Sequence, residues 1–142
     1  MNSKDINNIP PIDPGIFTPP PYENMPPRLL GGVCEACKRY YFPRPRYCKT
    51  CLRKVEQTIL GSTGKLYSYT IIRTKPPFGL PQPYAVGYVD LTGSNLRIYS
   101  LLDAAAIGQF RIGMPVRLAV GSLGHDGKGN SCLRPFFGPS IG

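Results

Sequence analysis

Residues 31–54 read GGVCEACKRYYFPRPRYCKTCLRK, and the rest of the chain is best read outward from this stretch. Cys34 and Cys37 form one CxxC pair and Cys48 and Cys51 a second, with ten residues between them. Each pair can wrap one side of a small cation, and two such knuckles complete the tetrahedral set of four sulfurs that suits Zn²⁺. Tyr40, Tyr41 and Phe42, ended by Pro43 and Pro45, suit a short hairpin that brings the knuckles together. A disulfide framework is the competing use of four cysteines. The chain opens MNSKDINNIPPIDP, however, with no basic-then-apolar leader, so a cytoplasmic setting is expected. The expectation is therefore one structural zinc per chain on Cys34, Cys37, Cys48 and Cys51. Four thiolates leave no open coordination position, which argues against zinc catalysis.

The same stretch concentrates the charge. The chain of 142 residues carries 17 Lys and Arg against 8 Asp and Glu, a formal +9. Seven of those cations (Lys38, Arg39, Arg44, Arg46, Lys49, Arg53 and Lys54) fall within residues 34–54, opposed by Glu35 alone. Four thiolates around Zn²⁺ sum to −2, so part of this patch is expected to neutralise the metal site rather than to bind a partner. Upstream, residues 1–27 hold eight prolines and no hydrophobic period, which predicts an extended arm. A disordered tail is one reading. The other is a strap, because Ile9, Ile12, Ile16, Phe17 and Tyr22 are more apolar surface than a solvated linker needs, and such a strap would dock on a partner.

Downstream, residues 57–142 read as consecutive strands. Lys65–Arg73, Tyr84–Leu91, Asn95–Leu102, Val116–Val120 and Cys132–Phe137 are aromatic or β-branched, with a turn at Thr92–Ser94. Asp103–Ile107 suits one short helix capped by Asp103, and the glycines of Gly121–Asn130 suggest a loop. Five strands with a helical turn after the third suit a Greek-key barrel of the OB type, with a small sandwich as the alternative. The predicted layout is mainly β: an arm over 1–27, a rubredoxin-like zinc ribbon over 28–56, and a five-stranded OB-fold barrel over 57–142. No run approaches 18 apolar residues, so no membrane-spanning helix is expected.

In this order, the ribbon with Phe42-Pro43-Arg44 between its knuckles, then Gly64–Thr70, a Pro-rich loop, Pro83–Leu91 and Ile112–Val116 resemble a family. It is the family of zinc-ribbon/OB-fold acyl-CoA-associated proteins, found beside thiolase-like enzymes. The likeness covers roughly residues 28–140. It implies a non-catalytic accessory subunit of a heteromeric thiolase-fold enzyme acting on an acyl-CoA, by thiolytic or retro-aldol carbon–carbon cleavage or acyl transfer. It also implies a thiolase-fold catalytic partner, two copies of each chain in a heterotetramer, and CoA near their interface. The short proline-rich N-terminus departs from members that begin with a helical hairpin. It is closer to members that serve thiolysis of an aromatic acyl-CoA in anaerobic toluene degradation.

Three function classes remain to be weighed on the residues. An enzyme in its own right would need a nucleophile with a positioned base. The single histidine, His125, lies in Gly124–Gly127 and reads as a turn, Cys132 has no context that would lower its pKa, and Asp90 and Asp103 suit structural roles. A single-stranded nucleic-acid binder is the alternative class, since cations and rings alternate through Lys38–Arg46. An accessory subunit fits best. Its contacts with CoA or the partner are expected from Arg44, Arg46 and Lys49 of the ribbon and from Arg73, Lys75 and Phe78 of the Pro76–Pro83 loop. Prolines stiffen that loop, so Phe78 would dock at low entropic cost, unless it merely plugs the barrel end.

Overall fold

In the computed structural model, residues 7–140 are described, so the first six residues of the expected arm lie outside the described residues. Eight strands form two sheets: β1 Leu29–Cys34, β2 Arg39–Tyr41, β3 Glu56–Gly61, β4 Thr63–Ile72, β5 Tyr84–Leu91, β6 Arg97–Leu102, β7 Pro115–His125 and β8 Ser131–Pro139. The ribbon sheet has the order β2-β1-β3, and the remaining five strands close into a barrel of order β4-β5-β6-β8-β7. This is the OB-type closure, and the sandwich alternative is set aside. Four of the barrel's strand pairs are antiparallel, and a parallel contact joins β6 to β8 at Leu102 and Phe137.

Strand alternation builds the barrel core. In β5 the side chains of Ala85, Val89 and Leu91 point inward and are buried, while Tyr88 is exposed on the outer face. Leu66, Val116, Leu118, Ile98 and Phe137 complete the interior, and a bulge between Leu66 and Ser68 turns Tyr67 outward. The ribbon shares this interior: Leu29 and Leu60 are buried in the same cluster, and Phe42 packs against it. At the ribbon's crossing, Gly32 meets Val55 and the stem of Arg44 so closely that a Cβ there would overlap both.

Three local expectations are revised. The segment Gly121–Asn130 is not a loop, because β7 continues to His125 and only the turn to Ser131 remains. Gly124, at φ +60, is what lets the strand pass beneath the backbone carbonyl of Phe78, where a side chain would collide. Asp103 does cap a helical turn by accepting from the Ala105 N–H at 3.0 Å, but the turn is a three-residue 3-10 turn, Ala104–Ala106. Lastly, part of the arm docks on its own chain, so Phe17 is not available to a partner as expected. Phe17 is 2% exposed and bridges to Leu29, while Ile12 donates to the Leu133 carbonyl at 2.8 Å and Leu133 donates to Pro10 at 2.8 Å.

The arm should therefore stabilise the isolated chain. Phe17→Ala is expected to cost about 3 kcal/mol, the usual scale for emptying a buried ring site, read as a lower midpoint in urea unfolding. An unchanged midpoint would return the arm to the role of a partner strap.

Candidate metal centre and flanking surfaces

The two knuckles are built alike. Lys38 donates its N–H to the Cys34 carbonyl at 2.8 Å, and Leu52 donates to Cys48 at 2.9 Å. Lys38 and Leu52 each adopt positive φ, 55 and 62, so each chain reverses tightly one residue past its second cysteine. This turn places both thiols of a pair on one side. The four sulfurs then lie within 4.8 Å of one another, with Cys34–Cys51 at 3.5 Å and Cys37–Cys48 at 3.9 Å. A tetrahedron of zinc–sulfur bonds near 2.3 Å has edges of about 3.8 Å, so the donor set fits Zn²⁺. The separations are far from a bonded disulfide at about 2.05 Å, and all five cysteines are free thiols.

Hydrogen bonding around the sulfurs is uneven. The Tyr41 hydroxyl lies 3.3 Å from Cys48 Sγ. That contact, with backbone N–H groups of Cys51 and Thr50, brings the Cys48 thiol down to about 5. Cys37 is pushed up to about 12, chiefly because it hydrogen-bonds Cys51 while still a thiol. Four thiolates this close repel one another, and a divalent cation at their centre relieves that repulsion. When bound, zinc supplies cross-linking and no open coordination position. Cys34 and Cys48 are buried with Val55, and Tyr41 and Cys51 pack against them. The hydrogen bonds to the Cys48 sulfur come from Tyr41 and the backbone, a role visible only once β2 is folded against the second knuckle.

The six expected contact residues fall into two separate groups. Arg44 and Arg46 border one cleft on the ribbon, and Arg44 Nη1 donates to the Val55 carbonyl at 3.3 Å. Lys49 is exposed, with its backbone N–H donating to the Tyr41 hydroxyl at 3.3 Å. Arg73, Lys75 and Phe78 lie in the β4–β5 loop. The ribbon abuts the β5–β6 turn, where Cys37–Tyr40 face Gly93–Leu96, so the loop stands at the other end of β4. The two groups therefore lie on different parts of the molecule, one on the ribbon and one on the loop that follows β4.

Phe78 does not plug the barrel. Its ring is 48% exposed and stands edge-on to His125, with centroids 6.1 Å apart, and the Arg134 guanidinium lies 5.6 Å from its centroid. Arg134 is buried and donates to the carbonyls of Leu123 at 2.7 Å and His125 at 3.1 Å, which makes a fixed platform beneath the loop. A cavity of about 230 Å³ opens beside it, lined by Leu80, Tyr84, Leu101, Leu123 and Phe136 among others. Sequence reasoning also passed over the outer barrel face. There Arg97 lies 3.3 Å over the Tyr67 ring and pairs with Asp90 at 2.7 Å, beside a Tyr88–Tyr99 pair at 5.4 Å. Their alternating positions in β5 and β6 were the available signal. Cys132 is buried, as a small core residue would be.

A four-cysteine ribbon packed into a closed OB barrel defines a zinc-ribbon/OB-fold protein. Known proteins agree along the chain: the rubredoxin-like zinc ribbon domain of ChsH2 matches residues 25–56, and the C-terminal OB-fold domain of ChsH2 matches residues 57–121. The benzoylsuccinyl-CoA thiolase subunit BbsA of Thauera aromatica is 36% identical over 104 residues, 72% of this chain and 70% of that protein. A DUF35 domain-containing scaffold protein of Methanocaldococcus jannaschii is 29% identical over 102 residues, 70% of this chain and 72% of that one. Among solved structures, the Ltp2-ChsH2(DUF35) aldolase aligns with a TM-score of 0.65 and 30% identity, covering 80% of this chain and 86% of the other. The chain belongs to this ChsH2-type zinc-ribbon/OB-fold family, also called DUF35.

Cys34→Ser or Cys48→Ser should release the single zinc, seen as metal content falling from about one per chain to near zero. Cys132→Ala should leave metal content unchanged. Tyr41→Phe should keep the four ligands yet weaken zinc by about tenfold or more in chelator competition, because a ligand's hydrogen-bond partner tunes its affinity. A variant Tyr41→Phe that competes as well as the parent would remove that role.

Proposed function

We propose that this chain is a zinc-stapled accessory subunit, without catalytic residues of its own, of a heteromeric thiolase-fold enzyme that cleaves a carbon–carbon bond of an acyl-CoA. The observation that carries the reading is likeness to a benzoylsuccinyl-CoA thiolase subunit across both the ribbon and the barrel. The finer reading takes its substrate from that relative's name, thiolysis of a benzoylsuccinyl-type acyl-CoA, and extends it to anaerobic aromatic degradation in a cytoplasmic complex with two copies of each subunit. No helix among the described residues is long and apolar enough to cross a membrane, which is compatible with that setting.

Local chemistry supports leaving the reaction to the partner. Thiolysis needs an activated nucleophile and a base. Cys132 is sealed in the core, and His125 holds Nδ1 2.9 Å from the Asp126 carbonyl with its ring against Phe78. What the chain offers instead is rigid surface. Phe78, Arg73 and Lys75 would meet the catalytic subunit from a loop already ordered by Arg134 and Gln82, whose Nε2 donates to the Arg73 carbonyl at 3.0 Å. Little chain entropy is then lost on docking. Arg44, Arg46 and Lys49 would serve CoA or the partner at the ribbon end.

Co-expression with a thiolase-fold subunit should give a stable complex by light scattering, with turnover of acyl-CoA only when both chains are present. Phe78→Ala should weaken assembly by about tenfold or more while zinc content stays at one per chain. A chain that remains monomeric beside the co-expressed partner would sink the proposal.

A further inference from the structure

The outer side of the ribbon carries a cleft of about 270 Å³ lined by Arg44, Pro45, Arg46, Lys54 and Val55. Three cations and no carboxylate line it, and none of the three is in an ion pair among the described residues. Among the described residues, no cysteine sulfur accepts a hydrogen bond from them. The cleft is held in shape by its backbone. Val55 donates to the Arg46 carbonyl at 3.1 Å, Cys48 donates to Arg53 at 2.7 Å, and Tyr47 bridges Lys54 across the second knuckle.

Arg44 is pre-positioned. Its stem lies over Gly32, where an added Cβ would sit 2.6 Å from Arg44 Cγ, and Nη1 is anchored on the Val55 carbonyl. A guanidinium has five donors, so most of the fork stays available to an incoming oxyanion. Arg46 and Lys54 have exposed side chains that make no hydrogen bond among the described residues. Two guanidiniums and one ammonium around a single recess fit the oxygens of a phosphoryl group, which Arg binds in a forked manner and Lys as a point charge. Val55, the apolar residue of the cleft lining, packs on Cys34 and Cys48, so the recess is tied mechanically to the metal centre.

We propose that this cleft is a phosphoryl-anion subsite that receives the diphosphate of the acyl-CoA; the CoA identity rests on the accessory-subunit reading, whereas the anion site rests on the cleft itself. It replaces Lys49, which does not line the recess, with Lys54. Arg73, Lys75 and Phe78 of the Pro-rich loop do not line this cleft.

The zinc-loaded full chain is titrated calorimetrically at low ionic strength with inorganic pyrophosphate, CoA and pantetheine. Pyrophosphate and CoA should bind and compete with each other, pantetheine should not bind, and added salt should weaken both. Arg46→Ala and Lys54→Ala should each weaken binding about tenfold at unchanged zinc content, whereas Lys65→Ala and Lys128→Ala should not. Absence of saturable pyrophosphate binding overturns the site, as does equal weakening by all four substitutions, the mark of diffuse surface charge. Pyrophosphate binding that CoA fails to displace overturns the CoA assignment, as does tighter binding of a single-stranded oligonucleotide than of CoA. Light scattering with the catalytic subunit separates the two proposals. Normal assembly without anion binding sinks the cleft alone, and anion binding without assembly sinks the subunit reading.

Discussion

The ribbon's own buried core consists of Cys34, Cys48 and Val55, with Tyr41 and Cys51 packed against them. So few apolar atoms cannot offset the entropy of ordering some thirty residues. The cross-link among four sulfurs is therefore the constraint on which the ribbon depends, and small domains of this kind draw folding free energy from metal binding. The dependence spreads beyond the knuckles. β1 runs from the metal ligand Cys34 back to Leu29, which is buried in the barrel's cluster with Leu60. Loosening the sulfurs would loosen the strand that both units share.

The barrel meets a different constraint. β6 and β8 touch at one parallel pair, so most of that flank of β8 has no barrel strand beside it. An open strand edge invites unwanted pairing. The arm occupies part of it, with Pro10, Pro11 and Ile12 lying along Leu133. Prolines suit this position because they lack N–H donors and sit at edges, while Ile12 supplies the donor where Leu133 needs one. The high proline content of the arm thus serves as an edge cover for the chain itself, and Phe17 anchors it over Leu29.

Where chemistry depends on spacing or residue type, the sequence was legible. The paired CxxC motifs predicted four sulfurs in one cluster, and the aromatic and β-branched run Tyr84–Leu91 predicted a barrel strand. Where it depends on what a residue meets after folding, it was not. Gly121 and Gly124 resemble loop residues, yet Gly124 is a strand residue beneath Phe78, a contact 46 positions away in the chain. Phe17 looked free to serve a partner because nothing local reveals Leu29 as its neighbour. Lys54 carries no signal of its own in the sequence, and it is the Tyr47–Lys54 pairing that brings it to the cleft beside Arg46.

The surface divides between the two units: the ribbon carries a basic recess lined by Arg44, Arg46 and Lys54, and the loop after β4 carries an aromatic ring propped on His125 and Arg134. Charge and apolar docking reward different things. A recess of cations attracts a diffusing anion and gains from being open to solvent, whereas a half-exposed ring gains only when a partner surface excludes water from it. Keeping the two on separate surfaces would let a protein cover the ring without desolvating the cations. In the proposed accessory role, the chain would then shape catalysis by presenting a protein contact and an anion contact from one frame, the ribbon and barrel that share a buried core.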